Sequence, residues 1–387
     1  MCSSGKTLIA QLVVLAPVAV GAAYSIIAAV LAILWMRLPR RPPPPHLPPV
    51  TVLKPLYGAD KNLRENLRSI CVQDYPDYQV VLAIQRLNDP AIPIARAIAA
   101  EFGPSRVSLA IADAPPRLNG KAENLARAMA LARHDTIVIS DSDVKTAPHY
   151  LRTVVPPLLD PDVGAVCTLC RAAMADNVYE KLELLTLNCD TIPFVILAVT
   201  FRLARFCLGA STAIRRATLD RIGGFAALAG YMAEDVEMGR RIAAAGRRLV
   251  FLPHVVDTMV DLPDVRSWWN HQVYWDQNAR VASLPGFIAL LFVKSVPFAI
   301  VFAAMRALDA VGLEILTAAL ALRIASAATI LAFCAGDREG LRALWLLPLR
   351  DVAGLACWIG GVAKRDFVRR GVKRDLAPDG RIVADGR

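Results

Sequence analysis

Thr136-Ile137-Val138-Ile139-Ser140-Asp141-Ser142-Asp143 is the stretch on which the reading of this chain turns. Its first five residues are short, apolar and rich in β-branched side chains, the pattern of a buried strand, and two carboxylates come at once after them. Similar runs lie to either side: Val50–Leu56 (VTVLKPL), Tyr78–Ile84 (YQVVLAI), Val107–Ile111 and Val163–Leu169. Between them the spacing is helical. Asn62 to Gln73 carries Leu63, Leu67 and Ile70 on one face, and Ala91 to Phe102 and Ala122 to Arg133 read the same way. Strands alternating with helices of this length predict an α/β, Rossmann-like domain with a mostly parallel sheet covered on both faces. Ligands of such sheets bind beyond the carboxyl ends of the strands.

The residues just beyond each strand therefore matter most. No G-x-G-x-x-G comes after a strand and no G-x-x-x-x-G-K-[ST] occurs, so neither a dinucleotide fingerprint nor a P-loop is supported. Acids stand there instead: Asp89 after the second strand, Asp141 and Asp143 after the fourth. Two carboxylates one residue apart can hold a divalent cation, and Mg²⁺ takes one or two carboxylates together with substrate phosphates. A helix start is the plainer reading, because Ser and Asp cap helices well. Asn119-Gly120-Lys121 leads into a helix, where backbone N–H groups and a lysine can meet a phosphate, or where the loop is simply capped. Glu234 and Asp235 open another helix after Gly223-Gly224-Phe225. Acids there complement the helix dipole, and one of them could equally be a general base.

The rest of the chain is built for lipid. Of 387 residues, 55% are hydrophobic, above the 45–50% of soluble domains. Only 20% are charged, which excludes a disordered chain. Leu8–Met36 is an apolar run interrupted only by Gln11, Tyr24 and Ser25, longer than the roughly 20 residues a bilayer requires. Arg37, Arg40 and Arg41 come next, which predicts an uncleaved anchor with the next domain in the cytoplasm. Leu38–Pro49 holds seven prolines and should run as an extended spacer. Ser267–Arg280, with Trp268, Tyr274 and Trp275, reads as an amphipathic interfacial segment, or as an aromatic core helix. Three apolar stretches come after it: Pro285–Met305, Val311–Cys334 and Leu344–Gly361. They carry Lys294, then Glu314 and Arg323, then Arg350 and Asp351. A basic tail ends the chain, so an even number of crossings is expected, with Pro285–Met305 interfacial or re-entrant. The expected divisions are 1–37 anchor, 38–49 linker, 50–264 catalytic domain, 265–284 interfacial segment, 285–363 membrane segments and 364–387 cytoplasmic tail. The net charge of +10 gathers beside these segments and suits anionic lipid rather than nucleic acid. Of eight cysteines only Cys167 and Cys170 are closely spaced, and no second pair completes a zinc site.

Taken in order, these marks resemble one family, the membrane-anchored GT-A glycosyltransferases of the ceramide glucosyltransferase type (family twenty-one), which has bacterial relatives acting on hopanoid lipids. The residues carrying the resemblance are Val52-Leu53-Lys54-Pro55-Leu56, Asp74-Tyr75-Pro76, Asp89-Pro90-Ala91, Asn119 to Leu125, Asp141-Ser142-Asp143, Gly209 to Thr212, Gly223-Gly224-Phe225, Glu234-Asp235 and Pro348 to Asp351. The resemblance implies that Asp89 lies near the nucleotide and that Asp141 serves the metal and diphosphate, with Asp143 completing the metal pair. It makes Asp235 the base that takes the acceptor proton. It further implies Mg²⁺ or Mn²⁺, a UDP-sugar donor, and ceramide or another lipid (a hopanoid or polyprenyl phosphate) as acceptor, in an integral membrane protein; the Ala- and Arg-rich composition points to a bacterial inner membrane. Glu234, His271, Tyr274 and Trp275 would border donor and acceptor. One element departs from the family: where it has [Q/R]-x-x-R-W, this chain has His271-Gln272-Val273-Tyr274-Trp275. A tyrosine cannot grip two diphosphate oxygens as an arginine does, so Arg280 or Lys121 is expected to take that contact. A non-catalytic scaffold derived from such an enzyme is the rival that this departure favours.

Overall fold

A computed structural model of the chain describes residues 2–39, 44–114, 118–364, 366–369 and 372–383. Arg40 and Arg41 of the expected linker, and Arg365, Arg370 and 384–387 of the expected tail, lie outside the described residues. The chain forms two compact units, one of 38–173, 203–261 and 369–387, the other of 1–37, 174–202 and 262–368.

The first unit is the α/β one. Its strands are β1 (Val50–Leu56), β2 (Tyr78–Ile84), β3 (Val107–Ile111), β4 (Thr136–Ser140), β5 (Val144–Lys145), β6 (Val163–Ala172), β7 (Ser211–Arg215) and β8 (Arg248–Thr258). They make one sheet in the order β3-β2-β1-β4-β7-β6-β8-β5. The β3-β2-β1-β4 half is parallel throughout, as the alternation of strands and helices predicts. β7 runs antiparallel to both β4 and β6 and joins that half to the rest. All residues of β1 and β2 are buried, because helices cover both faces. Leu63, Leu67 and Ile70 of one helix, Ala91, Ala95 and Ile98 of a second, and Tyr150, Leu151 and Val154 of a third enter the same core. Truncating a core leucine such as the fully buried Leu67 to alanine typically costs ~2–5 kcal/mol.

This unit also takes in the described part of the expected tail from Arg369 onward. That part contributes strands Val372–Leu376 and Ile382–Val383, paired antiparallel through Asp375↔Val383 and Leu376↔Ile382. The Ala377-Pro378-Asp379-Gly380 turn reverses the chain between them, Gly380 supplying the positive φ of 84°.

The second unit is helical. Four of its helices are long and apolar enough to cross a membrane: Leu8–Met36, Val178–Thr200, Ala310–Ala335 and Arg338–Ala363. Leu284–Val293 and Ser295–Met305 meet at Lys294 with a bend of 55°, so Pro285–Met305 is not one straight span. Val178–Thr200 lies inside the stretch 50–264 expected to be the catalytic domain. Glu180, Lys181, Glu183 and Asp190 obscure its apolar character along the sequence. The structure gives three of these four acceptable surroundings, burying Glu180, Glu183 and Asp190 against partners. Pro193 cannot donate to a carbonyl one turn back, and the helix widens into a π turn over Leu187–Thr191.

Four mid-helix charges in this unit are paired with one another. Arg323 Nη2 lies 2.6 Å from Asp190 Oδ1 and its Nε 2.9 Å from Asp351 Oδ2. Arg350 Nη1 reaches Asp351 Oδ1 at 2.9 Å and also contacts Asp190 Oδ2. Its Nε donates to Thr186 Oγ1 at 3.1 Å. All four charged side chains are buried, so each is stable there only with its partners.

Candidate active site

The turn after β4 carries Asp141 and Asp143, and a buried lysine holds it from below. Lys54, on β1, has no exposed surface. Its Nζ donates to Asp141 O at 2.5 Å, Val144 O at 3.0 Å and Ser140 Oγ at 3.2 Å. Burial lowers the pKa of this ammonium to about 8, against the pull of Asp143 and Asp141. From the side, Asp60 Oδ2 and Ser142 Oγ share a 2.5 Å hydrogen bond, and Asn66 Nδ2 donates to Ser142 O at 3.3 Å. The sequence alone assigns no role to Lys54, Asp60 or Asn66. A lysine inside an otherwise apolar strand is the one local signal that marks the first of them. Lys54→Met leaves the Asp141 and Val144 carbonyls without their donor. It should destabilise the protein by about 3 kcal/mol, read as a lowered thermal midpoint.

Lys121 gathers the acids. Asn119 caps its helix, the side chain accepting from Lys121 N at 3.0 Å and Ala122 N at 3.2 Å. The lysine's ammonium lies 2.7 Å from Asp141 Oδ1 and 3.2 Å from Glu234 Oε1, and donates to Gly209 O at 3.1 Å. Burial opposes its charge, but Asp141, Glu234 and Asp235 together outweigh that and hold it protonated well above the ordinary lysine range. With these three partners the ammonium has no proton left over, so a diphosphate contact would have to displace one of them.

Glu234 and Asp235 begin the helix Glu234–Ala244. Asn119 Nδ2 donates to Glu234 Oε2 at 2.8 Å, and to the backbone carbonyls of Tyr231 at 2.8 Å and Met232 at 3.3 Å. Asp235 Oδ2 accepts from Gly209 N at 2.9 Å and Oδ1 from Val236 N at 2.8 Å. A small cavity lined by Leu125, Ile139, Phe225 and Met238 adjoins Lys121, Glu234 and Asp235. Burial, and next the Glu234 charge, push the Asp235 carboxyl up to about 6, while Lys121 and the Val236 amide oppose them. A carboxylate in that range is suited to taking a proton near neutral pH.

Gly209 fits between the two charged groups only because it lacks a side chain. A Cβ there would stand 2.8 Å from Lys121 Nζ and 3.0 Å from Asp235 Oδ2. Gly209→Ala should therefore displace the Lys121 ammonium and the Asp235 carboxylate with little change in stability, lowering about 10²-fold any turnover that depends on their placement. Initial rates and a melting curve on the same preparation check this.

The two carboxylates of the β4 turn present oxygen donors only, a set that suits a hard divalent cation. Asp141 Oδ1 is buried and accepts no directional hydrogen bond, despite its close ammonium. Asp143 Oδ2 accepts from Thr258 Oγ1 at 3.0 Å. Burial and then the Asp141 charge raise its carboxyl to about 6, a tension that a cation relieves. Among the described residues no three His, Cys, Asp or Glu side chains converge to cage a metal by themselves.

Asp89 is placed differently. Its Oδ1 accepts from Gly58 N at 2.9 Å and Ala91 N at 2.9 Å, tying the loop after β1 to the start of a helix. His271, Tyr274 and Trp275 belong to the other unit, on the helix Val265–Ala282. There His271 Nε2 lies 3.1 Å from Glu183 Oε1 and 3.0 Å from Trp275 Nε1, and Gln272 Nε2 donates to Glu183 Oε2. Tyr274 packs edge-on against Trp275, which is largely exposed. Arg280, expected alongside Lys121 as one of two alternatives for the diphosphate contact, donates to Val362 O and Lys364 O at 2.9 Å each, closing the end of the helix Leu347–Ala363.

The chain has relatives among known proteins. The family described as Glycosyl transferase family 21 matches residues 14–382. The chain is 24% identical to ceramide glucosyltransferase 1 of Caenorhabditis elegans over 247 residues, 63% of this chain and 52% of that one. It is 31% identical to a ceramide glucosyltransferase of Komagataella phaffii over 107 residues, 27% of this chain and 21% of that one. The match thus spans about half the length of the first relative. Among solved structures, a mannosyltransferase from Pyrobaculum calidifontis in complex with GDP-Man and Mn²⁺ shares the fold. Its TM-score is 0.55 at 23% identity, covering 90% of this chain and 98% of that one.

Proposed function

The chain belongs to glycosyl transferase family 21, and from that premise we propose that it moves a sugar from a UDP-linked donor to the primary hydroxyl of ceramide, inverting the anomeric centre. The observation that carries this reading is the convergence of Asp141, Lys121, Glu234 and Asp235 at the carboxyl end of β4. A polarised donor site and a base with a raised pKa stand side by side there. In the proposed step the acceptor oxygen forms its bond to the anomeric carbon as the bond to the diphosphate oxygen breaks, and the proton passes to Asp235. A single base suffices for inversion. Asp141 and Asp143 would hold Mg²⁺ or Mn²⁺, which supplies charge neutralisation to the departing diphosphate. Because these two carboxylates are too few to cage an ion, the donor's own phosphates would complete its shell. Lys121 keeps Asp141, Glu234 and Gly209 in register, while Asp89 shapes the loop beside the nucleoside.

Ceramide as acceptor is supported by the names of the relatives and by the helical unit. That unit's spans would hold the protein where an acceptor with two long chains resides, and His271, Tyr274 and Trp275 on an amphipathic helix suit the headgroup level. The basic residues beside the anchor, Arg37 foremost, orient the α/β unit toward the cytoplasm, in a bacterial case from the inner membrane.

The test is a panel of UDP-glucose, UDP-galactose and UDP-glucuronate offered to membranes containing the chain. Acceptors are ceramide, diacylglycerol, a hopanoid and polyprenyl phosphate, with Mg²⁺ or Mn²⁺. Labelled glycosylceramide from one of the donors is expected. Product on another lipid alone reassigns the acceptor, and no transfer to any lipid leaves only the scaffold reading.

A further inference from the structure

We infer that the segment Ala377–Val383 is a strap that positions the Glu234–Asp235 carboxylates, an inference that rests on the reading of Asp235 as the base. The segment forms its own tight turn, with Ala377 N donating to Arg381 O at 2.9 Å and Gly380 N to Ala377 O at 3.0 Å. It then joins the loop just ahead of the two acids. Met232 N donates to Gly380 O at 3.0 Å and Ile382 N to Gly230 O at 2.8 Å, on either side of a Tyr231–Arg381 bridge. Ile382 is buried, and the Arg381 guanidinium stands 5.7 Å from the centre of the Tyr231 ring. Arg241 stands 5.5 Å from the same centre. That arginine is on the helix that Glu234 and Asp235 open.

The same loop is held a second time from another direction. Asn119 N donates to Ala229 O at 2.9 Å, and its side chain binds the carbonyls of Tyr231 and Met232 and the Glu234 carboxylate. Between Ala229 and Ala233, then, the backbone's long-range hydrogen bonds among the described residues are divided between Asn119 and the strap. Ala233 is the N-cap of the helix and makes no side-chain capping bond. The height and angle of that helix start are therefore fixed by the loop before it. Among the described residues, the Asp235 carboxylate has a single long-range backbone donor, Gly209 N, while Cys207 N binds its carbonyl at 3.1 Å. A drift of the loop would open that one bond.

The strap removes a degree of freedom from the helix start through its contacts to the 230–232 loop. Removing it should lower kcat while leaving donor affinity nearly intact, since its hydrogen bonds and ring contacts go to the 230–232 loop and not to the Asp141–Asp143 turn. Two variants of the full chain test this: deletion from Ala377 onward, and Ile382→Pro, which removes one strap donor while keeping the length. Ile382→Val, which keeps the amide, is the conservative control. Expected results are a fall in kcat of about 10²-fold for the deletion, an intermediate fall for Ile382→Pro, wild-type turnover for Ile382→Val, and a donor KM within about threefold throughout. Hydrogen exchange at the Met232 amide should quicken in both damaging variants while the melting midpoint holds.

Unchanged turnover in the deletion variant overturns the strap. So does a fall in kcat accompanied by an equal loss of folded protein, which would make the segment merely structural. Should the unaltered chain transfer no sugar at all, the functional reading fails on its own. The exchange of Met232 then decides the strap separately: unchanged exchange on deletion overturns it, and quickened exchange upholds the mechanical part.

Discussion

Asp235→Asn should cut sugar transfer by about 10²–10⁴-fold, the span over which a positioned general base contributes. Asparagine is nearly isosteric and can still accept from one of the two amides that bind the native carboxylate, Gly209 N and Val236 N. Its amide nitrogen must face the other, so a small loss of stability accompanies the large loss of rate. The pH profile separates the two. With a carboxyl raised to about 6 by burial and by Glu234, the basic form prevails above pH 6. Turnover should then fall about tenfold per unit below it. That acid limb should vanish in Asp235→Asn, leaving a low, flat rate. A flat profile in the unaltered chain, or full activity in the variant, removes Asp235 from the chemistry.

The second large effect concerns stability. Arg323→Met should destabilise the helical unit by ~3–5 kcal/mol, because Asp190 and Asp351 would be left buried with too little positive charge. Arg350 would remain against both carboxylates, which is why the loss stops short of abolishing the fold. The measurement is the thermal midpoint of detergent-solubilised protein. Combining Arg323→Met with Asp351→Leu should cost less than the sum of the two single changes, since the second removes the charge that the first stranded. Strict additivity would mean that the four groups do not act as one network.

The sheet is largely legible in sequence because strands buried on both faces leave short, unbroken apolar runs. VTVLKPL, YQVVLAI and TIVIS need no long-range knowledge to recognise, and acids immediately beyond a strand end are an equally local signal. β7 is not legible in this way. Ser211–Arg215 is short and mixed, and its antiparallel place between β4 and β6 is set by partners more than forty residues away in sequence. Lys54 is visible, but its function depends on a bond to Asp141, far along the chain, that no periodicity encodes. The same holds for Asn119, whose partners lie more than a hundred residues later. Val178–Thr200 is hidden as a candidate span for a related reason. Asp190 makes the helix look soluble until Arg323 and Arg350 arrive to neutralise it. The strands at 372–383 do carry a local signal, since Ala377-Pro378-Asp379-Gly380 marks a turn. The surrounding charge masks it.

The antiparallel β7 also sets a schedule for biosynthesis. It alone connects the β3-β2-β1-β4 half of the described sheet to β6, β8 and β5. On the ribosome it emerges after Val178–Thr200, the helix apolar enough to enter a bilayer. At ~5–20 residues per second, the interval between the end of β6 and the start of β7 is about 2–8 s. During that time both strand edges flanking the missing β7 lie open while a lipid-seeking helix is being released. A stalled ribosome prolongs that exposure. The length of that exposure is set by the rate of translation, and codon choice between positions 173 and 210 becomes a means of controlling it.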